Sequence, residues 1–270
     1  MLIRLARYLL LTIGGIAFAV PLFWMVSTSL KPDTELFSGA LWPRSPMWSN
    51  YERAVQSFPF MRYGANTVLL TMINIIGCVI SSAMAGYAFS RLRWPGRDAI
   101  FFVLLSTMMI PPQVTMIPVF LLFRWLGWYN TYLPLTVPAF LGGAAFFIFL
   151  MRQFFRTLPR DLEEAARIDG CSQLRIFWSV MLPLTKPALA TVGIFTFVGV
   201  WNDFMTPLIY LSDGNLYTLA LGLQSFVTES LTEWNLMMAA STLVLIPLLA
   251  LFFFAQRYFV EGIALTGSKG

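Results

Sequence analysis

The side chains that carry out most enzyme chemistry are scarce in this chain of 270 residues. It contains no histidine, the side chain that serves most often as a general base and as a metal ligand. Its two cysteines, Cys78 and Cys171, lie in an apolar and a polar stretch respectively, which does not support a disulfide framework. A zinc site needs about four clustered ligands, and the sequence offers no such cluster. We therefore predict neither a catalytic residue nor a metal site.

The composition indicates a membrane protein rather than a soluble one. Hydrophobic residues make up 58% of the chain and charged residues 11%, whereas a soluble domain carries about 25% charged residues. A soluble fold of this size has too little interior to bury so much apolar surface. The net charge of +5 comes from basic residues at the ends of apolar runs, which is typical of topology signals and not of nucleic-acid binding. The composition excludes a soluble enzyme, a disordered chain and a coiled coil.

Six apolar segments are long enough to cross a bilayer as helices, because about 20 residues span roughly 30 Å of hydrocarbon. They lie near residues 8–30, 63–90, 99–123, 131–150, 187–211 and 234–255. The first segment begins like a signal peptide, but its apolar run of about 23 residues is longer than the apolar core of such a peptide. We expect it to be an uncleaved span. The sequence therefore predicts an all-α integral membrane protein with six transmembrane helices.

Charge asymmetry predicts the orientation, because lysines and arginines are enriched on the cytoplasmic side of membrane proteins. Of the 18 basic residues, 13 lie on the side of the N-terminus and five on the other, so both termini are expected in the cytoplasm. We interpret 1–270 as a single transmembrane domain with an extracytoplasmic loop at 31–62, a cytoplasmic loop at 151–186 and a cytoplasmic tail at 259–270. The chain has no phosphate-binding GxxxxGKS or GxxxxGKT stretch, so its energy must come from a partner or an ion gradient.

The cytoplasmic loop is predicted to form two short helices. Asp161 is a predicted N-cap that forms a capping-box-like pair with Glu164, and Gly170 is a predicted left-handed stop. Ser172 is placed to cap the second helix, which should end before Pro183.

The faces of these two helices suggest two roles for the loop. Leu162, Ala165, Ala166 and Ile168 lie roughly on one side of the first helix, and Leu174, Phe177 and Met181 recur at helical spacing on the second. Because two members of the first face are alanines, another surface can approach it closely. The residues fit a helix that docks into a partner, and they also fit an ordinary amphipathic loop on the membrane surface.

The spacing within this loop is long and specific: Glu164-Ala165-Ala166, three residues, Gly170, nine residues, then Val180-Met181-Leu182-Pro183. It resembles the EAA motif of ABC importer permeases, E-A-A-x3-G-x9-I-x-L-P, with valine in place of the usual isoleucine. Three segments are similar, more narrowly, to the maltose-type second permease of the binding-protein-dependent carbohydrate importers. They are the sequence E-A-A-R-I-D-G, the stretch Trp201-Asn202-Asp203-Phe204 and the glycine-rich tail at 261–270.

This resemblance implies a type I ABC importer permease fold and a non-catalytic chain that forms half of a sugar or oligosaccharide pore in a prokaryotic inner membrane. The implied partners are a second permease subunit, two ATPase subunits that bind ATP and magnesium, an extracytoplasmic solute-binding protein and the lipid bilayer, with no cofactor on this chain and no nucleic acid. The coupling helix and its surroundings would comprise Glu164, Ala165, Ala166, Arg167, Asp169, Gly170, Leu182 and Pro183. The tail residues Gly267, Ser268, Lys269 and Gly270 would contact the ATPase dimer.

Asp203 is the one acidic residue within a predicted span, and an ionisable group at membrane depth is a functional candidate. With Asn202 beside it, Asp203 either lines the translocation path or makes a packing contact between helices. A permease for glycerol-phosphate-type solutes is an alternative to a sugar permease. A secondary transporter would need an internal repeat and more intramembrane carboxylates, and an intramembrane enzyme would need clustered catalytic groups, so both are disfavoured.

Overall fold

The computed structural model describes residues 2–227 and 233–267, with side chains described for 4–227 and 233–255. This part of the chain is built from helices, which confirms the predicted all-α class. The α-helices are α1 (Leu2–Ser29), α2 (Ser49–Gln56), α3 (Phe60–Arg91), α4 (Arg97–Thr107), α5 (Pro112–Trp125), α6 (Leu133–Phe140), α7 (Ala145–Thr157), α8 (Asp161–Ile168), α9 (Gln173–Ile176), α10 (Leu182–Leu184), α11 (Lys186–Trp201), α12 (Met205–Tyr210), α13 (Leu219–Gly222) and α14 (Trp234–Gly267). A π-helical turn, Phe177–Met181, joins α9 to α10.

Four helical stretches in the described ranges are long and apolar enough to cross a membrane: Arg4–Ser29, Phe60–Arg91, Leu133–Thr157 and Trp234–Ala255. Two further pairs of helices meet this criterion only together, because each pair is bent at a short break. Arg97–Thr107 and Pro112–Trp125 are bent by 102°, and Gln173–Leu184 and Lys186–Trp201 by 78°. The described chain thus contains four candidate spans, or up to six if each bent pair is one span.

The third, fourth and fifth predicted spans are not the continuous helices that the sequence suggested. In segment 131–150, α6 ends at Phe140 and α7 begins at Ala145. Segment 99–123 is broken before Pro112, because Pro111 has an extended backbone (φ −59°, ψ 133°) that does not continue the helix. Segment 187–211 is divided between α11 and α12. Helix α11 bends away from α10 at Thr185. Pro187 lies in the first turn of α11, where backbone N–H groups have no acceptor within the helix, so the N–H that proline lacks is not missed.

Residues Met1–Gly64 and Leu219–Leu249 form one compact unit. The loop that follows α1 in this unit is organised around the fully buried Lys31. The ammonium of Lys31 donates to the carbonyl of Ala40 at 2.6 Å and lies 4.7 Å from the ring centroid of Trp24. The amide of Asn50 donates to the carbonyl of Lys31 at 3.0 Å. Because these partners satisfy buried polar groups, the loop is an ordered part of the unit.

Residues Ala65–Thr218 and Ala250–Gly270 form the second unit, which contains the predicted coupling loop and Asp203. Its largest core brings together side chains from α3, α6, α7, α8, α9, the π-helical turn and α11: Cys78, Ala83, Tyr87, Ala139, Met151, Phe155, Ala166, Ile176, Phe177, Met181, Ala188 and Val192. At Gly86 of α3, a Cβ atom would lie only 2.6 Å from Cβ of Met151. Glycine is therefore required for this close approach of α3 to α7, a common way for membrane helices to pack.

Candidate functional site

The end of the predicted coupling helix α8 is formed as the sequence indicated. Gly170 follows α8 with φ +77°, a left-handed conformation that glycine adopts without strain. The N–H of Gly170 donates to the carbonyl of Arg167, and the N–H of Cys171 donates to the carbonyl of Ala166, both at 3.0 Å. This pair of bonds is a Schellman motif, which satisfies carbonyls that the helix end would otherwise leave unpaired. The prediction of Gly170 as the stop is confirmed.

The predicted start of α8 is wrong in its cap. Asp161 is the first residue of the helix, and the preceding Arg160 makes no side-chain capping bond. Arg160 already has helical backbone angles (φ −73°, ψ −28°), whereas a capping side chain needs an extended backbone to reach back to the first turn. The N–H groups of Glu163 and Glu164 bond to the carbonyl of Arg160 instead. The acidic first turn still suits the helix dipole.

The second helix begins as predicted and ends later. Ser172 has an extended backbone (ψ 156°), and its hydroxyl accepts from the N–H of Arg175 at 3.4 Å, so the predicted cap is confirmed. The helix does not end before Pro183. Pro183 lies in the first turn of α10, directly after the π-helical turn, and the helical path continues to Leu184. Leu182 packs partly against the core, and Pro183 is exposed.

The two faces of α8 differ from the predicted apolar stripe. Ala166 is buried in the core, whereas Leu162, Ala165 and Ile168 are exposed, Ile168 by 86%. Ala166 therefore does not share a free surface with them. The other predicted coupling residues, Glu164, Arg167, Asp169 and Gly170, are exposed around the same helix.

The face of the second helix is buried in part. Of the three residues at helical spacing, Phe177 and Met181 are buried in the core, but Leu174 is exposed. Ile176, which the pattern did not single out, is fully buried.

Glu163 is a site residue that the sequence reasoning missed. Its carboxylate lies 3.6 Å from Nε of Arg91, and the side chains are only 7% and 5% exposed, respectively. The Arg91 guanidinium also donates to the carbonyls of Phe155 and Leu158. Pairing of opposite charges offsets the cost of burying each of them, although Oε1 of Glu163 accepts no hydrogen bond from the residues that the structure describes. Glu163 lies three residues before Ala166, so the two side chains share one face of the helix. This spacing is the sequence signal that could have identified Glu163.

A second set of contacts links the predicted coupling loop to α3. Arg167 lies 3.9 Å from Glu163 and donates to the side-chain oxygen of Gln173 at 3.3 Å. The amide of Gln173 in turn donates to the hydroxyl of Tyr87 on α3. The ring of Tyr87 packs edge-on against Phe155 with centroids 5.4 Å apart. The loop is therefore held to α3 and α7 by polar and aromatic contacts.

Asp203 lies in the break between α11 and α12, beside a cavity of about 180 Å³. One carboxylate oxygen of Asp203 accepts from the N–H of Thr206 at 3.0 Å. Polar residues share the cavity wall, among them Thr67, Asn74 and Thr218. Asn202, by contrast, donates to the carbonyl of Val198 one turn earlier in α11. The two predicted neighbours thus have different surroundings, and Asp203 is the one that lines the cavity.

The remaining predicted site lies at the end of the chain. Gly267 is the last residue of α14, and Ser268, Lys269 and Gly270 lie outside the described residues. Among the residues that are described, no three Cys, Asp or Glu side chains gather in a way that could hold a metal ion.

Comparison with known proteins identifies a family and several relatives. Residues 74–264 match the family model described as "Binding-protein-dependent transport system inner membrane component". The chain is 35% identical to the probable ABC transporter permease protein YurM of Bacillus subtilis (strain 168), over 94% of this chain and 85% of that protein. It is 34% identical to the arabinooligosaccharides transport system permease protein AraQ of Halalkalibacterium halodurans, over 97% and 96%. It is 33% identical to the sn-glycerol-3-phosphate transport system permease protein UgpE of Yersinia enterocolitica, over 95% and 94%.

Two solved structures share the fold. A chain of a bacterial ABC transporter involved in the import of the acidic polysaccharide alginate matches with a TM-score of 0.84 and 28% identity, over 96% of both chains. A chain of the bacterial alginate ABC transporter in complex with its alginate pentasaccharide-bound periplasmic protein matches with a TM-score of 0.64 and 13% identity, over 94% and 91%. The second likeness concerns the fold alone.

Proposed function

The chain belongs to the family of binding-protein-dependent transport system inner membrane components, and we propose that it forms half of the translocation pore of an ATP-driven importer for a sugar or oligosaccharide. It is a multi-pass permease of a bacterial inner membrane. The solute class is supported by the names of its relatives, an arabinooligosaccharide permease and an alginate transporter. UgpE, which is named for sn-glycerol-3-phosphate transport, favours glycerol-phosphate-type solutes as the second candidate.

The proposed topology has six spans with both termini in the cytoplasm. Each bent pair of helices then contributes one span, which adds two to the four long candidates. In the second pair, Lys186–Trp201 would lie in the membrane and Gln173–Leu184 in the cytoplasmic loop. The 13-to-five division of basic residues supports this orientation. Residues 1–270 would form one permease domain, with 31–62 outside, and with the coupling loop 151–186 and the tail 259–270 in the cytoplasm.

The proposed partners supply the energy and the solute. A second permease would complete the pore, two ATPase subunits would bind ATP and magnesium, and an extracytoplasmic binding protein would deliver the solute. This chain would bind no cofactor and carry out no catalysis. The tail residues Gly267, Ser268, Lys269 and Gly270 are proposed to contact the ATPase dimer, on the strength of the sequence resemblance.

One observation supports the coupling role above all: α8 presents exposed apolar side chains on a helix whose opposite face is anchored in the core. Leu162 and Ile168 are exposed, and the buried Glu163–Arg91 ion pair anchors the other face. A partner can shift a conformational equilibrium only by contacting its states differently, and an anchored helix passes such a contact on to the spans. Glu164, Ala165, Arg167, Asp169 and Gly170 would surround the docking contact. Leu182 and Pro183 would support it from the second helix, and Ala166 from the core.

We expect Ile168→Asp to detach the ATPase subunits without unfolding the permease. Because Ile168 is 86% exposed, its replacement should change the free energy of unfolding by no more than about 0.5 kcal/mol. Loss of a central apolar anchor weakens an interface by about 2 kcal/mol, or roughly 30-fold in affinity. The measurement is the amount of ATPase that copurifies with tagged permease from membranes.

The matched control for this experiment is Phe37→Asp, which introduces the same charge at an equally exposed position, 87%, in the loop after α1. It should copurify with normal amounts of ATPase. If Ile168→Asp also does so, α8 is not the docking helix, and the interpretation as an amphipathic loop on the membrane surface is favoured.

We expect Asp203→Asn to change the relative uptake of neutral and acidic solutes several-fold, because it removes a charge from the cavity wall. An asparagine oxygen can still accept from the N–H of Thr206, so the local turn should persist. Asp213→Asn is the control, because Asp213 also accepts a backbone N–H, from Asn215 at 2.9 Å, but is exposed away from the cavity. If the preference between neutral and acidic solutes is unchanged and less of the second permease copurifies, Asp203 has a role in helix packing instead.

A further inference from the structure

Two adjoining cavities of about 400 and 530 Å³ lie where α3, α4 and α8 come together. Arg93, Arg97 and Arg160 line both of them, and we call this shared region the arginine pocket. Five arginines and three carboxylates line the two cavities in total, so the region carries a net positive charge. Glu164 and Arg167, which the proposed docking contact uses, lie at the wall of the first cavity, but Arg93, Arg97 and Arg160 have no part in that contact.

Two of the arginines are not committed to protein partners. Arg97 is paired with Asp98 at 3.0 Å, and Arg91 is held by Glu163. Arg93 and Arg160 have no ion pair or side-chain hydrogen bond to any residue that the structure describes. Glu164, at the wall of the first cavity, is the remaining carboxylate. The uncommitted guanidinium groups are therefore free to bind an anion from outside the chain.

The surroundings of the arginine pocket are those of a membrane interface. Trp94 lines the second cavity and packs against Phe89 with ring centroids 5.6 Å apart. Tryptophan is enriched at the level of lipid headgroups. Helix α4 starts at the pocket and is one half of a candidate span, and its next turns expose Ile100, Phe102 and Val103. A basic pocket thus continues directly into an apolar helix face.

We propose that the arginine pocket binds the phosphate headgroup of an anionic phospholipid, with the acyl chains along the exposed face of α4. The arginine guanidinium group matches phosphate oxygens through paired hydrogen bonds. Basic pockets at the cytoplasmic ends of spans are typical sites for anionic headgroups. A soluble anion would contact the arginines but would gain nothing from the apolar side chains of α4. The lipid therefore uses both features of the site.

The position of Arg160 gives this lipid a consequence for transport. Arg160 is the residue directly before α8, and its carbonyl accepts the first N–H groups of that helix. A headgroup held by Arg160 and Arg93 ties the start of α8 to the loop between α3 and α4. Anionic lipid therefore stabilises the placement of the coupling helix at the membrane surface.

The test uses the assembled importer in bilayers of phosphatidylcholine alone or of phosphatidylcholine and phosphatidylglycerol in equal amounts. After extraction in detergent, the lipid retained per complex is measured by mass spectrometry, and solute-stimulated ATP hydrolysis is measured in each bilayer. R93Q/R160Q removes the two uncommitted charges, and we expect its affinity for phosphatidylglycerol to fall roughly 30-fold. The stimulation of hydrolysis by phosphatidylglycerol should disappear with it.

The control R4Q/R7Q removes two exposed arginines from the start of α1 and should retain phosphatidylglycerol normally. Equal loss of lipid from both double variants would show that diffuse charge attraction, and not a specific site, retains phosphatidylglycerol, and it would overturn the proposal. Full displacement of phosphatidylglycerol by inorganic phosphate would do the same, because it would identify a soluble-anion site. R93K/R160K keeps both charges and covers the case in which the glutamine variant does not assemble. We expect it to retain phosphatidylglycerol in preference to phosphatidylcholine, and equal retention of the two lipids would contradict the proposal.

Discussion

Glu163→Ala is expected to lower the free energy of unfolding of the permease by about 3 kcal/mol, the lower end of the cost of breaking a buried ion pair. The change leaves Arg91 buried without its carboxylate. The decrease in the free energy of unfolding stays at the lower end of this range because the carbonyls of Phe155 and Leu158 still accept hydrogen bonds from the guanidinium group of Arg91. Denaturant-induced unfolding of the purified chain in detergent measures the change.

Glu164→Ala is the matched control, because it removes an acidic side chain from the neighbouring, exposed position of the same helix turn. Its effect should stay within about 0.5 kcal/mol. Arg91→Ala should cost more than Glu163→Ala, roughly 4–5 kcal/mol, since it removes both the charge that faces Glu163 and the hydrogen bonds to the carbonyls of Phe155 and Leu158. Equal stability of the Glu163 and Glu164 variants would show that the buried pair does not hold α8 in place.

Gly170→Val should uncouple ATP hydrolysis from transport while membrane insertion stays intact. A Cβ atom at Gly170 meets no other atom within 4 Å, so the strain comes from the backbone angle of +77° alone. A β-branched residue is disfavoured in this left-handed conformation by roughly 1–2 kcal/mol, which is enough to lose the Schellman bonds and change the end of α8. We expect solute-stimulated ATPase activity and uptake to fall at least tenfold in reconstituted vesicles.

Two variants separate this effect from general strain. Gly127→Val introduces the same side chain at φ +73°, also with no atom within 4 Å, in the loop after α5, and it should transport normally. Gly170→Asn should keep most of the activity, because asparagine tolerates the left-handed conformation. Normal uptake by Gly170→Val would mean that coupling does not depend on the end of α8.

The location of the apolar spans was predictable from composition along the chain, but their continuity was not. Pro111 and Pro112 interrupt the third predicted span, whereas Pro21, Pro118 and Pro247 lie inside helices that continue past them. A proline removes the same backbone donor at each place. Whether the helix bends or continues depends on which neighbouring groups satisfy the freed carbonyl, and those neighbours are set by the tertiary structure.

Within the predicted coupling loop, the sequence by itself determined the features that depend on near neighbours in the chain. The turn at Gly170 and the cap at Ser172 are built from hydrogen bonds that span three to five residues, so their residue types specify them. Only the tertiary structure decided that Ala166 faces the core while Ile168 faces outward. It also decided that Glu163 pairs with Arg91, which lies far away in the chain. Burial and ion pairing depend on which remote helix covers a face, and no local pattern contains that information.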